Sequence, residues 1–146
     1  MNLPVHTIAD IRSYGPCYDP AKYLPEDWQG TALDILRVEA CEVQDRFWVV
    51  LREGWIDDRT MRLFAVWCAR QALALIEQPD PRSVAACDVA ERYAMGQATK
   101  AEWAAAGAAR DAARAAAGAA ARDTAWAAAW AAQWAHLCEM LEEDRD

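Results

Sequence analysis

The residues best suited to bind a metal, attack a carbonyl or move a proton in this 146-residue chain are two histidines, five cysteines and a few arginine and carboxylate groups. His6 and His136 each lack a second His or Cys at helical ligand spacing. A zinc or di-iron site would therefore need convergence from distant segments, and no metal or other cofactor is expected. No nucleophile elbow, phosphate-binding glycine loop, dinucleotide fingerprint or H-E-x-x-H pair occurs. Cys68 falls on the apolar positions of a helical pattern, where a thiol behaves as a small hydrophobe. Asp57 and Asp58 adjoin at a helix start, where carboxylates complement the positive end of the helix dipole. The one enzyme-like alternative is a site assembled from Arg70, Arg82, Arg92 and carboxylates such as Glu91. No catalytic residue is assigned, and a non-enzymatic chain is expected.

Charge is more informative than reactive groups. The 23 Asp and Glu against 15 Lys and Arg give a net charge of −8, which repels phosphate backbones and argues against direct nucleic-acid binding. The excess lies at the two ends: residues 1–60 carry 11 acidic and 6 basic groups, and residues 101–146 carry 8 and 4. Two clusters, Asp57 with Asp58 and Glu139, Glu142 and Glu143 with Asp144, are candidates for docking on a basic groove of a protein partner. Beside the second cluster, Trp126, Trp130 and Trp134 span about 80° of helix and extend through Leu137 and Leu141 as an apolar stripe. That stripe either packs in the core or forms a hot spot for the partner.

The odd cysteine count, without a C-x-x-C pair, fits a reducing compartment. MNLPVHTIADIRS has no basic segment leading into an apolar run, and charges interrupt every apolar stretch. The expected location is cytoplasmic, away from membranes. A mean hydropathy of −0.18 fits the same reading.

The elements that must position these residues read as helices in a single domain of residues 1–146. Residues 1–30 form a short helix, capped by Thr7 with Asp10 and ended at Gly15, and then an ordered loop pinned by Tyr14, Tyr18, Tyr23 and Trp28. The helical core occupies residues 31–98. Thr31 caps a helix whose apolar positions Leu33, Leu36, Ala40, Val43, Phe47 and Val50 run without a breaker to Gly54. Asp57 or Asp58 opens the next, with Met61, Phe64, Ala65, Cys68, Ala72, Leu75 and Ile76 on one face before Pro79. Asp80 and Pro81 start another, which Gly96 ends. No stretch alternates as a strand, so the expected class is all-α, a helical bundle.

Thr99 and Glu102 form a capping box for the segment 99–146, in which residues 101–138 hold 21 alanines. Arg110, Arg114, Gly118, Arg122, Trp126, Trp130, Trp134 and Cys138 share one four-residue register. A continuous helix from Lys100 to Glu142 would be about 64 Å long, against a radius of gyration of about 15 Å for a compact chain of this size. Such a helix must bend at Gly107 or Gly118, or be covered by a second copy in a homodimer.

RLFAVWCARQAL at residues 62–73, EQPDPRSVAACDVAERYAMGQATKAE at residues 77–102 and the alanine-rich helix that follows resemble a family of bacterial and phage immunity proteins. The likeness covers about residues 45–135 and rests on Phe64, Cys68, Ala69, Arg70, Asp80, Pro81, Arg82, Glu91, Tyr93, Ala94 and Gly96. The loop YGPCYDPAKYLPEDW is similar to that of a subgroup carried by phages and mobile elements. The resemblance implies a small non-catalytic protein that binds another protein and neutralises it, either a toxin or a nucleic-acid-binding defence effector, the latter making it an anti-CRISPR type of inhibitor. A structural homodimer without inhibitory role is the remaining alternative.

Overall fold

A computed structural model describes residues 2–107 and 126–143, with side chains described up to Gly107 and again from Ala129. The register of Arg110, Arg114, Gly118 and Arg122, the side chain of Trp126, and Asp144 lie outside these residues. So does the choice between a bend at Gly118 and a covering second copy. The described residues are mostly helical, with one small antiparallel sheet. They gather into two compact units, one from Met1–Asp57 with Trp130–Asp146 and the other from Asp58–Ala129.

In the first unit, β1 (His6–Thr7) leads directly into α1 (Ile8–Ser13), and β2 (Gln29–Gly30) into α2 (Ala32–Leu36). The two strands pair antiparallel, His6 opposite Gly30 and Thr7 opposite Gln29, which corrects the strand-free expectation. Pairs of two residues carry no alternation long enough to read in a sequence. Both helices start with a capping box. The Asp10 carboxylate accepts from Thr7 N–H at 2.7 Å and the Asp34 carboxylate from Thr31 N–H at 2.7 Å, while each threonine hydroxyl accepts in return. Thr7 N–H and then the Thr7 hydroxyl hold the Asp10 carboxyl below the usual range. Between α1 and β2 the loop makes a 3-10 turn at Pro20–Lys22, capped by Asp19.

Gly30 allows the strand and the loop to meet. A methyl group there would lie 2.5 Å from Cζ2 of Trp28 and 3.0 Å from Cβ of Asp34. Gly30→Ala is expected to cost about 1–3 kcal/mol through this overlap. Chemical denaturation checks it, and a stability within about 0.5 kcal/mol of the parent would refute the close approach.

The single helix expected from Thr31 to Gly54 is two helices, α2 and α3 (Val43–Val50), with turns from Arg37 to Glu42. The apolar period continues across the break, since Leu33, Leu36, Phe47 and Val50 are all buried, but Ala40 is exposed. Side chains from elsewhere compensate the carbonyls that a continuous helix would have used. Arg46 donates through Nη1 to Leu36 O and through Nε to Cys41 O, both at 2.8 Å, and the Trp134 indole N–H donates to Leu36 O at 2.6 Å. Gly54 has φ +90°, but α3 has already ended.

The second unit is built on α4 (Asp58–Ala74) and α5 (Pro81–Ala94), followed by α6 (Lys100–Ala105). The buried face of α4 differs from the expected one: Thr60, Phe64, Val66 and Leu73 are buried, whereas Ala65 is exposed and Leu75, beyond the helix end, is 63% exposed. Val66, Ala69, Leu73 and Ile76 follow a 3-4 spacing and pack with Cys87 and Ala90 of α5. Asp80 caps α5, accepting from Arg82 N–H at 2.9 Å, with Pro81 in the first turn; Gly96, at φ +72°, follows its end. Thr99 and Glu102 form the third capping box, but α6 closes at Ala106, so a continuous helix from Lys100 to Glu142 is not formed. The last described helix is α7 (Trp126–Glu143).

Candidate functional site

The acidic residues singled out in the sequence are dispersed. Asp58 opens α4 at 87% exposure, with its carboxylate 3.3 Å from Arg62. Asp57 is half-buried and closes the first unit, so the adjacent pair is divided between the two units. Glu139, Glu142 and Glu143 stand in the last turns of α7. Glu142 pairs with Arg37, Glu139 lies 3.8 Å from His136 Nδ1, and Glu143 is exposed. Carboxylates at a helix C-terminus meet the negative end of the dipole, at a cost of about 0.3–1 kcal/mol each. The tryptophans between them face their own unit: Trp130 lies 5.2 Å from the Phe47 ring, and Trp134 carries the Arg46 guanidinium over its ring at 5.9 Å. Leu137 and Leu141 complete the stripe and are fully buried.

Partition of the charge becomes clear only from the packing. Described residues of the first unit hold thirteen Asp and Glu against five Lys and Arg, whereas those of the second hold six of each. The whole excess negative charge of the described chain therefore belongs to one unit. It is formed from segments at opposite ends of the sequence.

Two of the three arginines of the enzyme-like alternative, Arg70 and Arg82, form ion pairs with carboxylates. Arg70 of α4 bridges Glu91 at 2.7 Å and Asp88 at 3.0 Å on α5, and the Glu91 carboxyl is held below its usual range by that hydrogen bond. A general acid at neutral pH needs the opposite shift. Arg82 turns back to Asp80 at 2.8 Å, at the edge of an open cavity of about 420 Å³ lined mainly by small residues of α5 and α6. Arg92 has no part in either pair. Among the described residues no group of three His, Cys, Asp or Glu is placed to hold a metal ion, and no helix is long and apolar enough to cross a membrane.

Burial pushes the Cys68 thiol up to about 11, leaving about one thiolate in a thousand at pH 8. Cys17 is exposed. Iodoacetamide is accordingly expected to alkylate Cys17 first and Cys68 far more slowly in the native chain, as read by peptide mass mapping over time. Equal rates would contradict the packing of Cys68.

Sequence reasoning passed over a cleft of about 40 Å³ in the first unit, between the N-terminal loop and α3. Its walls are Ile11, Pro16, Tyr18, Pro20, Tyr23 and Leu24 on one side and Ile35, Val38, Cys41, Asp45, Arg46, Trp48 and Val49 on the other. Tyr18 and Tyr23 meet edge to face at 5.4 Å, and the Tyr18 hydroxyl lies 3.7 Å from the Cys41 thiol. Burial, then the hydrogen bond to Cys41, pushes the Tyr18 phenol up, with Asp45 contributing in the same direction. Burial raises the Cys41 thiol, against the hydrogen bond to Tyr18, which lowers it, and with the Asp45 charge pushing it up and the Arg46 charge pulling it down. Trp48 is 38% exposed at the edge, under the Arg52 guanidinium at 4.0 Å. The available signal was the run of prolines and tyrosines between Gly15 and Trp28, which reads equally well as a loop pinned by packing. Comparisons with protein-family models, with curated proteins and with solved structures find no match to this chain.

Proposed function

We propose that this chain is a non-catalytic inhibitor that binds a basic surface of another protein through its acidic unit and occludes it. The observation that carries the reading is the segregation of charge, thirteen acidic against five basic groups in one unit and balance in the other. A unit of net negative charge steers an oppositely charged partner toward itself and repels nucleic acid. At the end of α7, Glu142 is engaged by Arg37, which leaves the exposed Glu143 as a carboxylate a partner could meet. A partner whose basic groove holds DNA or RNA fits this chemistry. The resemblance to immunity proteins adds the class of role, neutralisation of a toxin or, on a phage, of a defence effector in the anti-CRISPR manner. A cytoplasmic site of action belongs to the same reading.

The test is affinity capture with the full chain from host cells, followed by assay of the captured protein. Stoichiometric chain should abolish its activity, and affinity should fall about tenfold or more between about 50 and 300 mM salt. Neutralising Glu139, Glu142, Glu143 and Asp144 together, and Asp57 with Asp58 separately, should slow association more than it speeds dissociation. Asp58 also opens α4, so circular dichroism must accompany that variant. Binding indifferent to salt, with both variants folded and fully inhibitory, would exclude docking by charge.

A further inference from the structure

We propose that the outward face of α3, centred on Trp48 and Leu51, is the apolar anchor of the docking surface, and that it receives an apolar side chain which the protein partner carries between lysines or arginines. This rests on the reading of the acidic unit as the docking surface. Trp48 is the exposed tryptophan among the described side chains, and Leu51, three residues on, is 44% exposed. With the exposed Gln44 they lie within about 60° of one another around the helix, beside the buried stripe of Phe47 and Val50. The Trp48 ring is also held in place from below. Buried Trp55 donates its indole N–H to the Tyr14 hydroxyl at 2.9 Å, the Tyr14 ring lies 5.5 Å from the Arg52 guanidinium, and that guanidinium covers the Trp48 ring at 4.0 Å. This column runs from the core to the surface and orients the ring before any partner arrives, so little side-chain freedom is lost on binding. Trp, Tyr and Arg are also the side chains in which interface energy concentrates.

Charge around the patch selects its occupant. Glu39, Glu42 and Glu53 are exposed on the segments that enter and leave α3, and none of them is ion-paired among the described residues. Glu42 stands at the N-cap of α3 without a side-chain hydrogen bond there. The basic groups between Val38 and Asp57 are engaged: Arg46 holds Leu36 O and Cys41 O, and Arg52 lies on Trp48. An apolar centre within a rim of carboxylates repels an acidic or phosphate-bearing surface, and a second copy seated on it symmetrically would bring the same carboxylates face to face. A basic amphipathic segment fits both parts. Its apolar side chain covers Trp48 and Leu51 while its ammonium or guanidinium groups meet the rim.

The experiment titrates the full chain with a synthetic amidated peptide of repeated Lys-Lys-Leu triplets and with its Lys-Lys-Ser counterpart, which has the same charge. Nuclear magnetic resonance follows the Trp48 indole N–H and the Leu51 methyl groups. The leucine peptide is expected to shift both saturably and to bind about tenfold more tightly than the serine peptide, the value of covering one apolar side chain. Trp48→Ala should remove that advantage and Leu51→Ala about a threefold part of it, while neither changes the serine peptide. Leu75→Ala, at an exposed leucine of the second unit, should leave both peptides unaffected. Circular dichroism confirms that each variant is folded; Leu51, which does not border the cleft beneath the N-terminal loop, carries the test if Trp48→Ala disturbs that cleft. Equal or absent binding of the two peptides, or a leucine advantage that survives both substitutions in folded variants, overturns the anchor; equal binding that still weakens with salt leaves docking by charge standing. A Glu-Glu-Leu peptide that binds as tightly as the lysine one overturns the basic occupant, and a dimer in sedimentation that Trp48→Ala abolishes puts a second copy there instead. Leucine-peptide binding indifferent to salt overturns the docking reading, while its dependence on Trp48 still reports on the anchor.

Discussion

Replacement of Trp55 by Ala is expected to lower stability by about 4 kcal/mol, within the range for removing a fully buried large aromatic side chain. Trp55 has no exposed surface; it stacks on the His6 imidazole at 4.0 Å, and its indole N–H donates to the Tyr14 hydroxyl at 2.9 Å. His6 also contacts the Gly54 carbonyl oxygen through Nε2 at 3.1 Å. One residue thus ties the chain after α3 to β1 and to the end of α1. Trp55→Phe keeps a stacking ring and loses only the indole donor, for which about 1 kcal/mol is expected because half-buried Tyr14 can turn to water. Urea unfolding followed by near-ultraviolet circular dichroism reads both. The alanine variant should melt roughly 10 °C lower in a chain of this size. A loss below about 1 kcal/mol in Trp55→Ala would show that the ring is not enclosed.

Leu137→Ala and Leu141→Ala should each cost about 3 kcal/mol. Both side chains are fully buried although they belong to the last described helix, and the contacts of α7 lie far away in sequence. Trp134 reaches Leu36, Trp130 reaches Phe47 and Glu142 reaches Arg37. Their loss should therefore appear as faster hydrogen exchange in α2 and α3, not only in α7. Leu75→Ala serves as the control, since that leucine is 63% exposed and should change stability by no more than about 0.5 kcal/mol. Equal, small effects at all three leucines would mean that α7 is not docked on the first unit.

Local chemistry in the sequence determines where most helices start. The boxes Thr7 with Asp10, Thr31 with Asp34 and Thr99 with Glu102, and the cap Asp80 before Pro81, each join groups within three residues. They depend on no distant contact, so spacing alone reveals them. The net charge is likewise a property of composition. Where helices end is less local. The turn from Arg37 to Glu42 interrupts a good apolar period, and Arg46 and Trp134, the latter 98 residues beyond Leu36, satisfy the carbonyl that the break leaves without a helical partner. The paired strands His6–Thr7 and Gln29–Gly30 are too short for any pattern, and their pairing needs the loop between them to close. The face of α4 shifted for a similar reason: Val66 and Leu73, not Ala65 and Leu75, meet α5. The site follows the same division. The sequence supplies the carboxylates and the proline-tyrosine loop, but the enclosure of Asp45 beside Tyr18 and Cys41 depends on the loop folding over α3. Tertiary packing also joins the two acidic ends of the chain into one unit, since only burial of Leu137 and Leu141 brings the end of α7 to the surface that carries Arg37.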